Sequence, residues 1–143
     1  MGQPEVSGLI GYLATKKMMK KVLIFLLFAA TSAFSQTVEL NDKTLVGKWL
    51  FNDIVAEGKD NGISLKERKE MLEGVYLLFK DDKTCVTSFI MDREGTWSLD
   101  ATTKVITVKE GMKTNTWTVH SFTGKEIVLS RNEALQKILF KRQ

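Results

Sequence analysis

The sequence predicts an all-β protein, an eight-stranded antiparallel up-and-down barrel with one short helix between its first and second strands. Three observations lead there. Apolar and polar residues alternate with a period of two through most of the chain after Gly47, and the alternating runs are separated by connectors of hairpin length. A Gly-x-Trp unit opens two of these runs, at Gly47-Lys48-Trp49 and Gly95-Thr96-Trp97. Successive side chains of a strand point to opposite faces, so a period of two separates an inside from an outside. Short connectors make consecutive strands antiparallel neighbours, and a meander of this length removes its edges by closing on itself.

The N-terminal part of the chain stands apart from this pattern. Lys20-Lys21 is followed by the apolar run Val22 to Ala30 and then by Thr31-Ser-Ala-Phe-Ser35, a basic, apolar and small-residue order that reads as a cleavable secretory signal. The apolar stretch from Val22 to Phe34 spans thirteen residues, short of the roughly 20 that cross a bilayer. Met19 is the expected natural start, with a longer n-region from Met1 as the alternative. Cleavage between Ser35 and Gln36 separates residues 1–35 from a single domain, 36–143, of 108 residues. The chain is therefore expected to be periplasmic or secreted, without insertion in a membrane after cleavage. No cysteine lies near the cleavage point, which argues against a lipid anchor.

Removing the signal changes the charge balance. Of 21 basic and 17 acidic residues, residues 1–35 hold four lysines and one glutamate, leaving 17 and 16 and a net charge of +1. That balance gives no basis for expecting a nucleic-acid partner. The one cysteine, Cys85, has no partner for an internal disulfide and is expected to be a buried thiol among Val86 and Phe89.

In chain order, 36–44 is a polar lead-in lying across one barrel end, and the first strand runs from Gly47 to Val55. The two glycines and the Asp-Asn pair of Ala56 to Gly62 are loop chemistry. Ser64-Leu-Lys-Glu67 matches a capping box and Gly74 a helix stop, so a two-turn helix is expected between them, packed on the barrel end or closing as a lid. Leu65, Leu72 and Met71 would share a face. Further strands are expected at Val75–Lys80, Thr84–Asp92, Gly95–Leu99, Val105–Lys109, Thr114–Phe122, Glu126–Ser130 and Lys137–Lys141.

The alternation assigns one inward row: Trp49, Phe51, Leu77, Phe79, Phe89, Trp97, Leu99, Ile106, Val108, Trp117, Val119, Ile127, Leu129, Ile138 and Phe140. Lys48, Asn52, Thr96, Ser98, Thr107, Thr116, Thr118, His120 and Ser130 form the outer one. Burying each large apolar side chain contributes roughly 1.5–3 kcal/mol, enough in sum for a domain this small. An eight-stranded barrel is just wide enough for packed side chains or one small ligand. The uncharged inward row favours an apolar ligand, and the candidate lining residues are Trp49, Phe51, Leu77, Phe79, Phe89, Trp97, Leu99, Trp117, Val119, Leu129 and Phe140. The same residues also suit a solid core, and that alternative stays open.

Gly47-Lys48-Trp49 on a first strand, Phe79-Lys80-Asp81-Asp82-Lys83-Thr84 as strand and turn, Gly95-Thr96-Trp97-Ser98-Leu99, Val105 to Val108 and Ile127 to Leu129 together resemble the short bacterial lipocalin-like domains. The resemblance spans 36–143. It implies a first-strand tryptophan that closes the barrel base under a basic residue from a late strand, here Arg131 or Arg142, in a cation–π contact. It also implies a small hydrophobic ligand. The chain lacks the Thr-Asp-Tyr segment, disulfides and C-terminal helix of longer lipocalins.

Catalytic and metal chemistry have little to draw on. One histidine and one cysteine do not assemble a zinc site or a His-dependent nucleophile. His120 and Ser121 are adjacent on a strand and meet only across a bulge. The expectation is therefore a non-enzymatic binding protein without cofactor or metal, whose alternative is a solid barrel that binds a protein, for instance as an inhibitor of a secreted enzyme.

Overall fold

A computed structural model describes residues 37–143; the expected signal and its cleavage point lie outside the described residues. Eight strands form one closed antiparallel barrel in sequence order. They are β1 (Gly47–Ala56), β2 (Tyr76–Phe79), β3 (Thr84–Ser88), β4 (Asp92–Asp100), β5 (Val105–Glu110), β6 (Lys113–Phe122), β7 (Glu126–Arg131) and β8 (Lys137–Arg142). β1 pairs with β8, closing the sheet, with Trp49 opposite Arg142 and Phe51 opposite Phe140.

All fifteen residues of the expected inward row belong to the core or pack directly against it. Aromatic rings interlock along the axis: Phe79 meets Trp97 edge-on at 5.4 Å between centroids, and Phe140 lies edge-on to both Phe51 and Trp117 at 6.5 and 6.3 Å. Edge-to-face contacts of this kind suit the ring quadrupoles and leave little free volume.

The expected helix is present as α2 (Leu65–Leu72), with both halves of its capping box formed: Glu67 N–H donates to Ser64 Oγ at 3.2 Å and Ser64 N–H to Glu67 Oε2 at 2.9 Å. Gly74 follows it at φ +81°, the left-handed geometry of a helix stop. Leu72 packs on the core, whereas Met71 is exposed. Lys69 pairs with Asp53 of β1 at 2.7 Å, tying helix to strand.

Four features depart from the expectation. A second helix, α1 (Asp42–Leu45), precedes β1, capped by Asn41 and Thr44, so α2 is not the sole helix. β3 stops at Ser88 and β4 begins at Asp92, which moves the hairpin tip from Arg93-Glu94 to Phe89–Met91. β1 carries register shifts between Phe51 and Asp53 and between Ile54 and Ala56, so the buried position is Ile54 while Val55 faces solvent. β6 shifts register between Val119 and Ser121, the place of His120.

The strand order gives the barrel two unlike ends. At one, β1, β3, β5 and β7 begin and β2, β4, β6 and β8 finish, beside α1 and the C-terminus. At the other lie α2 and the tips at 89–91, 111–112 and 132–136.

Candidate functional site

The first end is a lock. Trp49 is fully buried, its indole N–H donates to Leu45 O at 2.9 Å, and the Arg142 guanidinium lies 4.2 Å from its ring. Arg142 Nε donates to Gly124 O at 2.7 Å, Nη1 to Val46 O at 2.6 Å, and Nη2 to Thr44 O. Burial lowers the Arg142 pKa from its ordinary value. Gly47 stands here at φ +144°, and a methyl on it would strike Arg142 Nη1. Of the two arginines the resemblance offered, Arg142 takes the first-strand tryptophan.

Trp97 repeats the device. Its N–H donates to Lys80 O at 2.9 Å, and Lys83 Nζ sits 4.1 Å from the ring while pairing with Asp42. The glycine of this second Gly-x-Trp unit has another reason to be bare. A methyl on Gly95 would collide with the carbonyl of Lys109 on β5. Both glycines therefore admit a close neighbour, and neither spaces the tryptophan ring from its own strand.

The second end is open. A cavity of about 270 Å³ is lined by Thr87, Phe89, Ile90, Met91, Arg93, Glu110, Lys113, Asn115 and Arg131. Inward alternation continues past the apolar core into these residues: Leu129 leads to Arg131 on β7, Val108 to Glu110 on β5, Trp97 to Gly95 and Arg93 on β4, and Cys85 to Thr87 on β3. The inward row is thus charged at its mouth, where the sequence reading had stopped at the apolar residues. Arg131 is the neighbour of Trp117 across the β6–β7 pair, and its guanidinium lies 5.7 Å from that ring and 5.1 Å from Phe89. Phe89 and Trp117 stack at 5.8 Å with 17° between their planes.

Of the eleven lining residues expected from the sequence, Phe89 alone borders this cavity. Trp49, Leu77, Phe79, Trp117, Leu129 and Phe140 are almost wholly buried core. Phe51 and Leu99 pack against that core, and Trp97 and Val119 belong to it.

The electrostatics of the mouth are lopsided. Glu110 Oε1 accepts a 2.5 Å hydrogen bond from the hydroxyl of Thr87, itself a buried polar residue. Among the described residues, no carboxylate lies within ion-pair distance of Arg93, Lys113 or Arg131. The Nε of Arg131 is buried without a hydrogen-bond partner. Large apolar side chains are exposed at this end of the barrel: Ile90 and Met112 at 99% and 104%, with Met91, Leu135 and Met71, of which Ile90 and Met91 border the cavity.

The remaining chemistry is structural. Cys85 is free and buried, and burial, followed by the charge of Glu110, pushes its thiol up to about 11. His120 does not meet Ser121; at the β6 bulge its Nε2 lies 2.8 Å from Ser130 Oγ, on the outer face where Ser130 is buried. Burial, then Lys137, holds the imidazole below its ordinary pKa. Among the described residues no three His, Cys, Asp or Glu side chains are placed to hold a metal ion.

A closed eight-stranded antiparallel barrel is the class the geometry defines, with the cavity of about 270 Å³ at the α2 end and a second of about 240 Å³ beside Trp97, Lys83, Asp42 and Val46 at the other. No protein-family model matches the chain, and no curated protein does. Among solved structures it is similar to a DUF4847 family protein from Bacteroides vulgatus ATCC 8482, at 15% identity and a TM-score of 0.48, over 68% of this chain and 92% of that one.

Proposed function

We propose that this chain is an exported, non-enzymatic binding protein of lipocalin-like type, whose small ligand sits in the open mouth of the barrel. One observation carries the reading: the cavity of about 270 Å³ lies at the end that no tryptophan–arginine lock closes. A concave site with mixed apolar and convergent polar lining is the usual form of a small-molecule pocket. The interior below supplies rigidity, which holds Thr87, Glu110 and Arg131 in place on strands. Arg142 over Trp49 supports the lipocalin-like assignment.

Tryptophan fluorescence during titration with a neutral naphthylamine probe tests the reading. Trp117 lies beneath Phe89 and Arg131 and is the reporter. Energy transfer that saturates at one probe per chain, and falls in Phe89→Ala with the fold intact, is the expected result. A flat titration of the folded protein overturns it. The exposed Ile90, Met91, Met112 and Leu135 at the strand tips of this end favour a second reading, a protein-binding surface. In that case Ile90→Ser and Met112→Ser abolish capture of a partner, while the probe response is absent throughout.

A further inference from the structure

Resting on the mouth as the ligand site, we infer that its ligand is a small organic monocarboxylate with a compact apolar body, its carboxylate held by Arg131 and its body against Phe89, Ile90 and Met91. Arg131 carries most of the weight. A buried donor without a partner is uncommon in a folded protein and calls for an explanation. Arg68 also has a buried, unbonded Nε, but its guanidinium faces Glu57 at 3.8 Å. Arg131 has no such carboxylate among the described residues, and its guanidinium is held against the rings of Phe89 and Trp117. A guanidinium fixed in this way offers a planar fork that matches a carboxylate, with little rotamer freedom left to lose on binding.

The surrounding charges sharpen the class. Arg93 and Lys113 line the same cavity without ion pairs, so three cations face one acid. That acid, Glu110, is tied to Thr87. Its charge repels a second carboxylate, which favours a monoanion over a diacid. The apolar part follows from Phe89, Ile90 and Met91, which interrupt an otherwise polar lining. The size follows from the volume, about 270 Å³, just below the usual range of roughly 300–1,000 Å³ for ligand pockets. That volume suits one ring with a short arm and not a long acyl chain.

The test uses the full chain, titrated calorimetrically with phenylpropionate, its neutral amide, octanoate and inorganic phosphate. Phenylpropionate is expected to bind about tenfold or more tightly than the amide, the difference one charge-assisted contact makes, and more tightly than octanoate or phosphate. Arg131→Gln should abolish the preference for acid over amide. If Arg131→Gln does not fold, the exposed pair Arg93→Gln and Lys113→Gln provides the check: each should weaken the acid a few-fold, leave the amide unchanged and reduce the salt dependence. Equal binding of acid and amide, an acid preference that survives in Arg131→Gln, or an acid preference left undiminished in both Arg93→Gln and Lys113→Gln, overturns the inference. Phosphate binding as tightly as phenylpropionate overturns its apolar half. Failure of every ligand while the neutral probe still binds overturns the inference alone; failure of the probe as well overturns the binding site on which it rests.

Discussion

Replacing Arg142 with methionine should be among the most damaging single changes on the surface of this barrel. The guanidinium donates to three backbone carbonyls, of Gly124, Val46 and Thr44, and covers the ring of Trp49 at 4.2 Å. Those carbonyls belong to three separate segments: the β6–β7 turn, the entry to β1, and α1. One side chain therefore joins parts of the barrel end that the β-ladder alone does not bind together. Hydrogen bonds to a charged donor contribute about 1.5–3 kcal/mol each, and a partly desolvated cation–π contact about 1–2 kcal/mol. These terms are not additive, and carbonyls at a barrel rim regain water once the side chain is gone. A net loss of about 3–5 kcal/mol is the working figure, which for a domain of this size lowers the melting temperature by roughly 12–20 °C. Urea denaturation followed by tryptophan fluorescence measures it. Arg142→Lys separates the causes: an ammonium keeps the charge over the ring but cannot reach three carbonyls as a fork, so it should recover less than half of the loss. Full recovery in Arg142→Lys, or a loss below about 1 kcal/mol in Arg142→Met, would refute the reasoning.

Gly95→Ala should cost about 2–4 kcal/mol by forcing β4 away from the Lys109 carbonyl, and chemical denaturation of the variant checks it. Gly47→Ala drives its methyl into the Arg142 guanidinium, so its cost should shrink in an Arg142→Met background, a coupling that a double-mutant cycle reads. His120 is the one histidine, so a single imidazole resonance reports it in an NMR titration, and it should titrate below its ordinary value because burial and Lys137 disfavour the charge. Its folded pKa is depressed, so the unfolded state takes up the proton first. Stability is therefore full above about pH 6.5, falls as the pH drops toward the folded pKa, and becomes flatter in His120→Gln. Glu110→Gln should strengthen phenylpropionate binding a few-fold by removing the opposing charge, and should also let the Cys85 thiol titrate below its value of about 11, since Glu110 contributes to raising it. Thiol labelling across a pH series, in parallel with calorimetry, detects both.

The barrel was legible because period two is a geometric consequence of the strand, and fifteen residues from Trp49 to Phe140 kept it without interruption. Ile54 and Phe122, which both turn toward the core after a bulge, were not, because a bulge adds one residue and inverts the parity locally without a signature in residue type. The charged mouth was not anticipated, for a different reason. Glu110 and Arg131 lie one step beyond Val108 and Leu129 on the same inward parity, yet a charged residue at a strand end reads equally well as a turn. Extending the alternation by one step would have found them. The choice between Arg131 and Arg142 was also available. β8 ends where β1 begins, so only Arg142 reaches the end that carries Trp49, while β7 runs the opposite way and delivers Arg131 to the mouth. Spacing does not decide this, but strand polarity does. α1 left a faint trace in Asn41 and Thr44, a reciprocal capping pair too short to stand out from a polar lead-in.

Each of the three tryptophans lies beneath a cation, and the comparison between them separates structure from site. Arg142 over Trp49 has its donors taken by carbonyls, and Lys83 over Trp97 is paired with Asp42. Arg131 over Trp117 has the same aromatic support and, among the described residues, no ion-pair partner. Leaving a buried guanidinium nitrogen unbonded carries a desolvation cost of about 1–3 kcal/mol. The device is complete twice at the α1 end and incomplete once at the mouth; Arg68, which also has a buried unbonded Nε, at least faces Glu57. Natural sequences depart from local consistency chiefly where function requires it. On the proposed reading the missing partner is a carboxylate, and the rings of Phe89 and Trp117 hold the guanidinium where it would meet one.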